Sequence, residues 1–98
     1  MKAIDFTARL FAAIHKTPLT YQQAGYLMSL AAGLTTASEV AEFFGIASSG
    51  PVSQTFKHLH KEGYILAEQD MLSGDTLYSL TEKGKQTVCS LLSFLPKK

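Results

Sequence analysis

The stretch Thr36–Gly63 constrains the fold most, because it carries the signals of a helix, a tight turn and a second helix. Thr36 and Glu39 have the spacing of a capping box, in which each side chain accepts a hydrogen bond from the backbone amide of the other residue. Gly45 supplies the left-handed residue that commonly ends a helix. We therefore predict a first helix with an apolar face, onto which Ile46 folds back: Ala37, Val40, Ala41 and Phe44.

The second helix of this stretch is predicted to begin at Pro51, with Ser49 or Gly50 as its cap, because the fixed φ of proline suits the first helical turn. Its apolar residues recur at spacings of four and three and share one face: Val52, Phe56 and Leu59. At about 100° per residue, the polar residues point the other way: Gln54, Lys57, His58 and Lys61, with Ser53 on the flank. This pattern is typical of a helix that reads the major groove of DNA. An ordinary amphipathic surface helix has the same pattern, so both interpretations stay open at this point.

Length and composition restrict the class of protein. A chain of 98 residues that is 46% hydrophobic suits one domain with a small core. Its net charge of +1 neither favours nor excludes a nucleic-acid partner. A single cysteine excludes an internal disulfide and fits a reducing compartment. Because Asp5 and Arg9 interrupt the apolar N-terminus and no apolar run is long enough to span a bilayer, we expect a cytoplasmic protein with no membrane partner.

The first segment, residues 1–16, is predicted to be a helix with two neighbouring apolar stripes. A terminal helix of a small domain has difficulty burying both stripes against its own core. We therefore predict a homodimer formed by this helix and the last one, through Ile4, Phe6, Leu10, Phe11, Ile14, Leu91, Leu92 and Leu95. A wide helix buried entirely in its own chain is the alternative.

The remaining elements follow from capping and periodicity. Thr20 and Gln23 form a second capping box, which starts a helix over Tyr21–Ala32 with a predicted buried face of Ala24, Leu27, Met28 and Ala31. After Gly63 the apolar residues alternate, which predicts a β-hairpin over residues 64–80 with its turn at 73–75. Thr81 then caps a final helix over residues 82–95.

This order of elements resembles the winged helix-turn-helix of MarR-type transcriptional regulators, with short terminal helices. The most specific parts are Leu80-Thr81-Glu82-Lys83-Gly84 after the hairpin and Glu62-Gly63-Tyr64-Ile65 after the reading helix, and the likeness covers residues 19–95. The expected fold is mainly α with a small β-hairpin, a single winged helix-turn-helix domain over residues 1–98. The resemblance implies a dimer that binds double-stranded DNA, with residues 36–62 as the helix-turn-helix, Pro51–Lys61 in the major groove and residues 64–80 as the wing.

The wing departs from this pattern in its charge. It carries Glu68, Asp70 and Asp75 but no lysine or arginine, so contact with the phosphate backbone is electrostatically unfavourable. The turn between Gly45 and Val52 is also one residue longer than the usual pattern. The acidic wing and the near-neutral charge are the evidence for the alternative hypothesis, a winged helix that serves as a protein interaction module, such as an anti-repressor or adaptor, and does not bind DNA.

No pattern of residues indicates catalysis, a metal site or a cofactor. His58 and His60 lie two apart on a helix and face different directions, and Cys89 has no ligand partner at a suitable spacing and is expected to be a buried, inert thiol. We therefore predict a protein that is not an enzyme, and the sequence identifies no effector ligand. The predicted DNA-binding residues are Ser49, Ser53, Gln54, Lys57, His58 and Lys61, and the predicted core is Val40, Phe44, Ile46, Val52, Phe56, Leu59, Ile65 and Leu80.

Overall fold

The computed structural model describes residues 2–93 of the chain. Within them the elements run, in order, α1 Ala3–His15, α2 Tyr21–Ala31, α3 Ala37–Phe43, α4 Gly50–Lys61, β1 Ile65–Gln69, β2 Thr76–Leu80 and α5 Glu82–Leu91. The two strands pair antiparallel, from Ile65 opposite Leu80 to Gln69 opposite Thr76. The mainly helical winged helix-turn-helix predicted from the sequence is confirmed. No helix in this part of the chain has the length and apolar character needed to cross a membrane.

The predicted start and end of α3 are both present. The Thr36 hydroxyl accepts from the Glu39 amide at 3.1 Å, and the Glu39 carboxylate accepts from the Thr36 amide at 3.1 Å. At the other end Gly45 has φ of 71°, and the Ile46 amide donates to the Ala41 carbonyl at 2.8 Å. This is the Schellman arrangement, in which a left-handed residue lets the chain close the last turn of a helix. The turn between α3 and α4 is therefore fixed by backbone hydrogen bonds.

The start of α4 differs slightly from the prediction. The helix begins at Gly50 with Pro51 in second position, and Ser49 occupies the cap position without a side-chain hydrogen bond to the helix. The hydroxyl of Ser48 accepts from the Gly50 amide at 3.2 Å instead. Ser48 thus stabilises the start of α4, and the hydroxyl of Ser49 is left for other contacts.

The main core forms around the apolar face of α4. Val52, Phe56 and Leu59 are completely buried. The Phe56 ring lies between Tyr26 of α2 and Tyr78 of β2, with ring centroids 5.7 and 4.4 Å away. Phe56 therefore joins α4 to both α2 and the wing. Val40 and Ile65 are buried as predicted, and Ile46 and Leu80 are half-buried against the same core.

Two predictions about burial are wrong. Phe44 is 44% exposed, because α3 ends at Phe43 and the Phe44 ring packs over Tyr26 at 5.4 Å, outside the core. In α2 the sequence predicted Ala31 on the buried face, but Ala31 is exposed and Met28 is half-buried. Tyr26 and Leu30 are buried instead, since the α4 and wing rings meet α2 on that side.

The predicted dimer residues differ in how far they are buried within their own chain. Ile14 of α1 and Leu91 of α5 are buried against Ala24 of α2 within the same chain. They belong to its core, and the prediction that they form the dimer interface is wrong. Leu10 and Leu92 are half-buried against the chain's own residues, and Leu95 lies outside the described residues. The remaining predicted residues stay exposed on α1: Ile4, Phe6 and Phe11. The inward side of α1 is therefore its C-terminal part around Leu10 and Ile14, and the exposed residues come from both predicted stripes.

We predict that Phe56→Ala lowers the free energy of unfolding by about 3–5 kcal/mol, because it leaves a cavity between two tyrosine rings. Urea titration of both proteins measures the difference. Phe43→Ala is the matched control, because Phe43 is 71% exposed and its loss should cost less than about 1 kcal/mol. A Phe56→Ala variant as stable as this control would contradict the packing described for α4.

Candidate nucleic-acid interface

The outward face of α4 gathers the predicted reading residues. Gln54, Lys57, His58 and Lys61 are all exposed and follow one another at spacings of three, one and three, which places them on one side of the helix. Ser53 is half-buried on the flank. Within residues 2–93 neither Lys57 nor Lys61 is held in an ion pair or a hydrogen bond. The face therefore offers an amide and two unpaired ammonium groups to a ligand.

A cleft of about 190 Å³ opens beside this face, between the N-termini of α3 and α4 and the wing. Hydroxyl groups dominate its wall: Thr36, Ser38, Ser49, Ser53 and Thr76 line it, with Asp75 on the wing side. Among the described residues, the hydroxyls of Ser38, Ser49 and Ser53 make no hydrogen bond to the protein. The cleft thus collects free donors next to the start of the reading helix.

Two of these cleft residues, Ser38 and Thr76, were missed by sequence reasoning. Ser38 lies in the first turn of α3, and Thr76 begins β2. The signal for Ser38 was present, because first-turn residues of both helices in a helix-turn-helix come close to the same end of the reading helix. Thr76 had no local signal, because its position depends on how the hairpin folds back towards α4.

The wing has a well-defined turn but no positive charge. The Asp70 carboxylate accepts from the Leu72 amide at 3.0 Å and from the Ser73 hydroxyl at 2.9 Å. These two hydrogen bonds lower the pKa of Asp70, so the carboxylate is ionised at neutral pH. Gly74 has φ of 77° and closes the turn. Asp70 therefore stabilises the wing turn, in addition to the charge that the sequence indicated.

The two sequence segments that carried the resemblance contact each other. Thr81 donates through its hydroxyl to the Gly63 carbonyl at 2.6 Å and through its amide to the Tyr64 carbonyl at 3.1 Å. The Lys83 ammonium donates to the Glu62 carbonyl at 2.7 Å and lies 4.4 Å from the centre of the Tyr64 ring. We call these contacts of residues 62–64 with residues 81–84 the exit clamp. A cation at the end of α4 also interacts favourably with the helix dipole.

Gly84 allows the exit clamp to close. It is buried, and a Cβ placed there would overlap the backbone carbonyl oxygen of Tyr64 and stand 3.1 Å from the Leu80 side chain. Only a residue without a side chain lets α5 approach the chain this closely. The exit clamp consequently fixes the position at which the chain leaves α4 and enters the wing.

The described residues hold no site for metal chemistry. In residues 2–93 no group of three or more histidine, cysteine, aspartate or glutamate residues lies close enough to hold a metal ion. Cys89 is exposed, which corrects the prediction of a buried thiol. The reason is that the inward positions of α5 are taken by Val88 and Leu91, and Cys89 points away from both.

Among the comparisons with known proteins, only the search of solved structures gives matches to this chain. No protein-family model and no curated protein sequence matches the chain. A MepR variant from S. aureus, solved bound to an oligodeoxyribonucleotide, superimposes with a TM-score of 0.79 at 20% identity, over 93% of this chain and 68% of that one. ZitR from Lactococcus lactis, described as a zinc-responsive MarR family member, gives 0.69 at 29% identity, over 80% of this chain and 54% of that one.

A third structure agrees with these two. The adhesin competence repressor AdcR from Streptococcus pyogenes gives a TM-score of 0.70 at 22% identity, over 92% of this chain and 67% of that one. This chain spans between about half and two thirds of the length of the three structures. The likeness confirms the MarR-type winged helix-turn-helix fold that the sequence segments indicated.

We predict that Gly84→Ala lowers the free energy of unfolding by about 1–3 kcal/mol, because the added methyl group forces α5 away from Tyr64. Gly25→Ala in α2 is the matched control. There the new Cβ meets the Phe44 ring at 3.5 Å, an ordinary contact, so the change should stabilise the helix by about 0.5–1 kcal/mol. Thermal unfolding of both variants gives the comparison. Equal stability of the two variants would contradict the close approach in the exit clamp.

Proposed function

We propose that this chain, which has the MarR-type winged helix-turn-helix fold, is a transcription regulator that binds double-stranded DNA with α4 in the major groove. The observation that carries the proposal is the division of α4 into two faces. Its inner face is completely buried, while its outer face exposes Gln54, Lys57, His58 and Lys61. An exposed row of donors on a helix that is rigidly backed by a core is what groove reading requires.

Each polar residue has a role that follows from its chemistry. The Gln54 amide matches the donor and acceptor pair that adenine presents in the major groove. Lys57 and Lys61 supply the charge that attracts phosphate groups and releases counterions. Ser49 and Ser53, at the start of the helix, offer hydroxyl donors to base edges or to phosphate, and His58 lies one turn after Gln54 on the outer face.

Different hydrogen bonds fix the two ends of α4, which supports its role as the helix that contacts DNA bases. The Ile46 to Ala41 hydrogen bond fixes the entry, and the exit clamp fixes the departure. A reading helix must keep its side chains within a fraction of an ångström of the base edges. The structure of MepR with bound oligodeoxyribonucleotide supports DNA as the partner of this fold, and a cytoplasmic location is part of the same proposal.

The exposed apolar residues of α1 support a homodimer. Ile4 is 76% exposed, and Phe11 is exposed beside Tyr21, with ring centroids 5.0 Å apart. Contiguous apolar side chains on a surface mark an interface more often than they occur on a monomer. A two-fold dimer presents two copies of α4, so we propose that the DNA site is a palindrome with half-sites about one helical turn apart.

A second candidate function is favoured by the charge of the wing. Its only charged residues are Glu68, Asp70 and Asp75, and Asp75 lines the cleft beside α4. Negative charge at this position opposes a phosphate backbone. The alternative is therefore a winged helix that contacts a protein through this end and does not bind DNA.

We predict that Gln54→Ala weakens binding to the preferred DNA site by about 1–3 kcal/mol and binding to random duplex hardly at all. Lys57→Ala should weaken binding to both and reduce the salt slope by about one, because it removes one phosphate contact. Fluorescence anisotropy at several salt concentrations measures both effects. Gln86→Ala and Lys16→Ala, which change the same residue types outside α4, are the controls and should leave binding unchanged.

The triple variant Gln54→Ala, Lys57→Ala, Lys61→Ala decides between the two candidate functions. Loss of duplex binding in this variant, with its fold intact by circular dichroism, supports α4 as the reading helix. Duplex binding that persists in the triple variant would contradict α4 as the reading helix. Duplex binding that is undetectable for the wild type at low salt would favour the protein interaction module.

We predict that the chain sediments as a dimer at micromolar concentration and that Ile4→Ser with Phe11→Ser converts it to a folded monomer. Point substitutions are preferred to deletion of α1, because deletion would also remove Ile14 from the core. Phe43→Ser is the control, since it removes an exposed aromatic ring from α3 and leaves α1 unchanged. A wild-type protein that is monomeric under these conditions would contradict the proposed interface.

A further inference from the structure

The hairpin presents an exposed apolar surface that the proposed DNA contact does not use. We call it the wing surface and define it by six residues: Leu66, Glu68, Met71, Leu72, Asp75 and Leu77. All six are exposed, and the fractions at the tip are extreme, 94% for Met71 and 98% for Leu72. Among the large hydrophobic side chains of residues 2–93 that are exposed, these two are the most accessible to solvent.

The register of the hairpin explains why Leu66, Glu68 and Leu77 share one side. Ile65 and Tyr78 point into the core, so their neighbours Leu66 and Leu77 point to the opposite face of the two-stranded sheet. Leu77 lies directly opposite Glu68, and Leu66 lies opposite Ser79, one diagonal step from Leu77. Diagonal neighbours on one face are close enough for long side chains to meet. The outer face is therefore an apolar pair with a carboxylate beside it.

The tip is held in one conformation although it is exposed. The Asp70 amide donates to the Asp75 carbonyl at 2.7 Å, and the Gly74 amide donates to the Asp70 carbonyl at 2.8 Å. The Asp70 side chain secures the Leu72 amide within the same turn. An ordered turn that exposes two large apolar side chains loses little entropy on binding, which favours its use as a contact surface.

The charge of the wing surface selects the kind of partner. Its carboxylates have no counter-ion, because among residues 2–93 no salt bridge is formed by Glu68, Asp70 or Asp75. A phosphate backbone would be repelled by them. A cationic protein segment would instead pair with Glu68 and Asp75 at the edge of the contact while apolar side chains fill the centre, the usual arrangement of an interface with a polar rim.

The size of the surface suits a helix. Each strand has five residues, which corresponds to about 17 Å at roughly 3.4 Å per residue, and this length matches about three turns of an α-helix. We propose that the wing surface binds a cationic amphipathic helix of a partner protein, whose apolar stripe covers Leu66, Leu77, Met71 and Leu72 and whose lysine or arginine side chains pair with Glu68 and Asp75. Asp75 also lines the cleft beside α4, but the apolar part of this contact is separate from the α4 face and does not depend on DNA binding.

The test uses the full chain and a defined probe. The probe is a fluorescein-labelled synthetic helix of leucine and lysine, about four turns long, with its leucines at i, i+3, i+4 and i+7. A peptide of the same composition with the leucines spread around the helix is the peptide control. Fluorescence anisotropy should show binding to the first peptide and about tenfold weaker binding to the second, since only the first has a continuous apolar stripe.

Variants locate the binding on the protein. Met71→Ser with Leu72→Ser, and separately Glu68→Gln with Asp75→Asn, should each weaken binding of the first peptide by about tenfold or more. The matched control is Phe43→Ser, which removes an exposed aromatic ring far along the chain from the wing and should leave binding unchanged. Asp70 is left intact, because it holds the turn. Backbone amide shifts recorded by NMR should change at residues 65–77 when the peptide is added.

Three results would overturn the proposal. The first is the absence of peptide binding, or binding that the wing variants do not change. The second is an equal loss in Phe43→Ser, which would indicate non-specific adsorption. The third is unchanged peptide binding together with an approximately tenfold loss of DNA affinity in Met71→Ser with Leu72→Ser, which would assign the tip to insertion into the minor groove.

Discussion

The position of the reading helix depends on the exit clamp. The chain leaves α4 at Glu62, and the carbonyl groups of Glu62, Gly63 and Tyr64 accept hydrogen bonds from Lys83 and Thr81. The donors follow β2 in the chain, after the hairpin, so the clamp also holds the base of the wing against the end of α4. Gly84 removes the steric barrier to this approach, and this lets α5 pack directly against the chain that leaves α4.

The features that the sequence predicted correctly are those satisfied within a few residues. The capping box at Thr36 and the left-handed Gly45 need only neighbours along the chain, and both are present. The failures involve side chains whose burial depends on distant elements. Phe44 is displaced because Tyr26 and Phe56 already fill the space beneath it, and Ile14 is buried because α5 covers it. The exposed face of α4 was predictable from periodicity, whereas the hydroxyl cleft beside it required the folded hairpin.

The charge distribution separates two surfaces of one small domain. The outer face of α4 holds unpaired lysines, and the wing holds unpaired carboxylates around exposed apolar side chains. Opposite charges on neighbouring surfaces restrict each to a different partner, because the lysine face attracts phosphate groups whereas the carboxylates of the wing repel phosphate and attract cationic side chains. In this account α4 recognises DNA, and the wing is available to a protein.

The central claim is that α4 reads DNA sequence as part of a two-fold dimer. Selection of bound duplexes from a random pool by the wild-type protein, followed by sequencing, tests it most directly. The account predicts enrichment of a palindromic sequence with half-sites about one helical turn apart. A pool that shows no enriched sequence after repeated selection at low salt would contradict the claim.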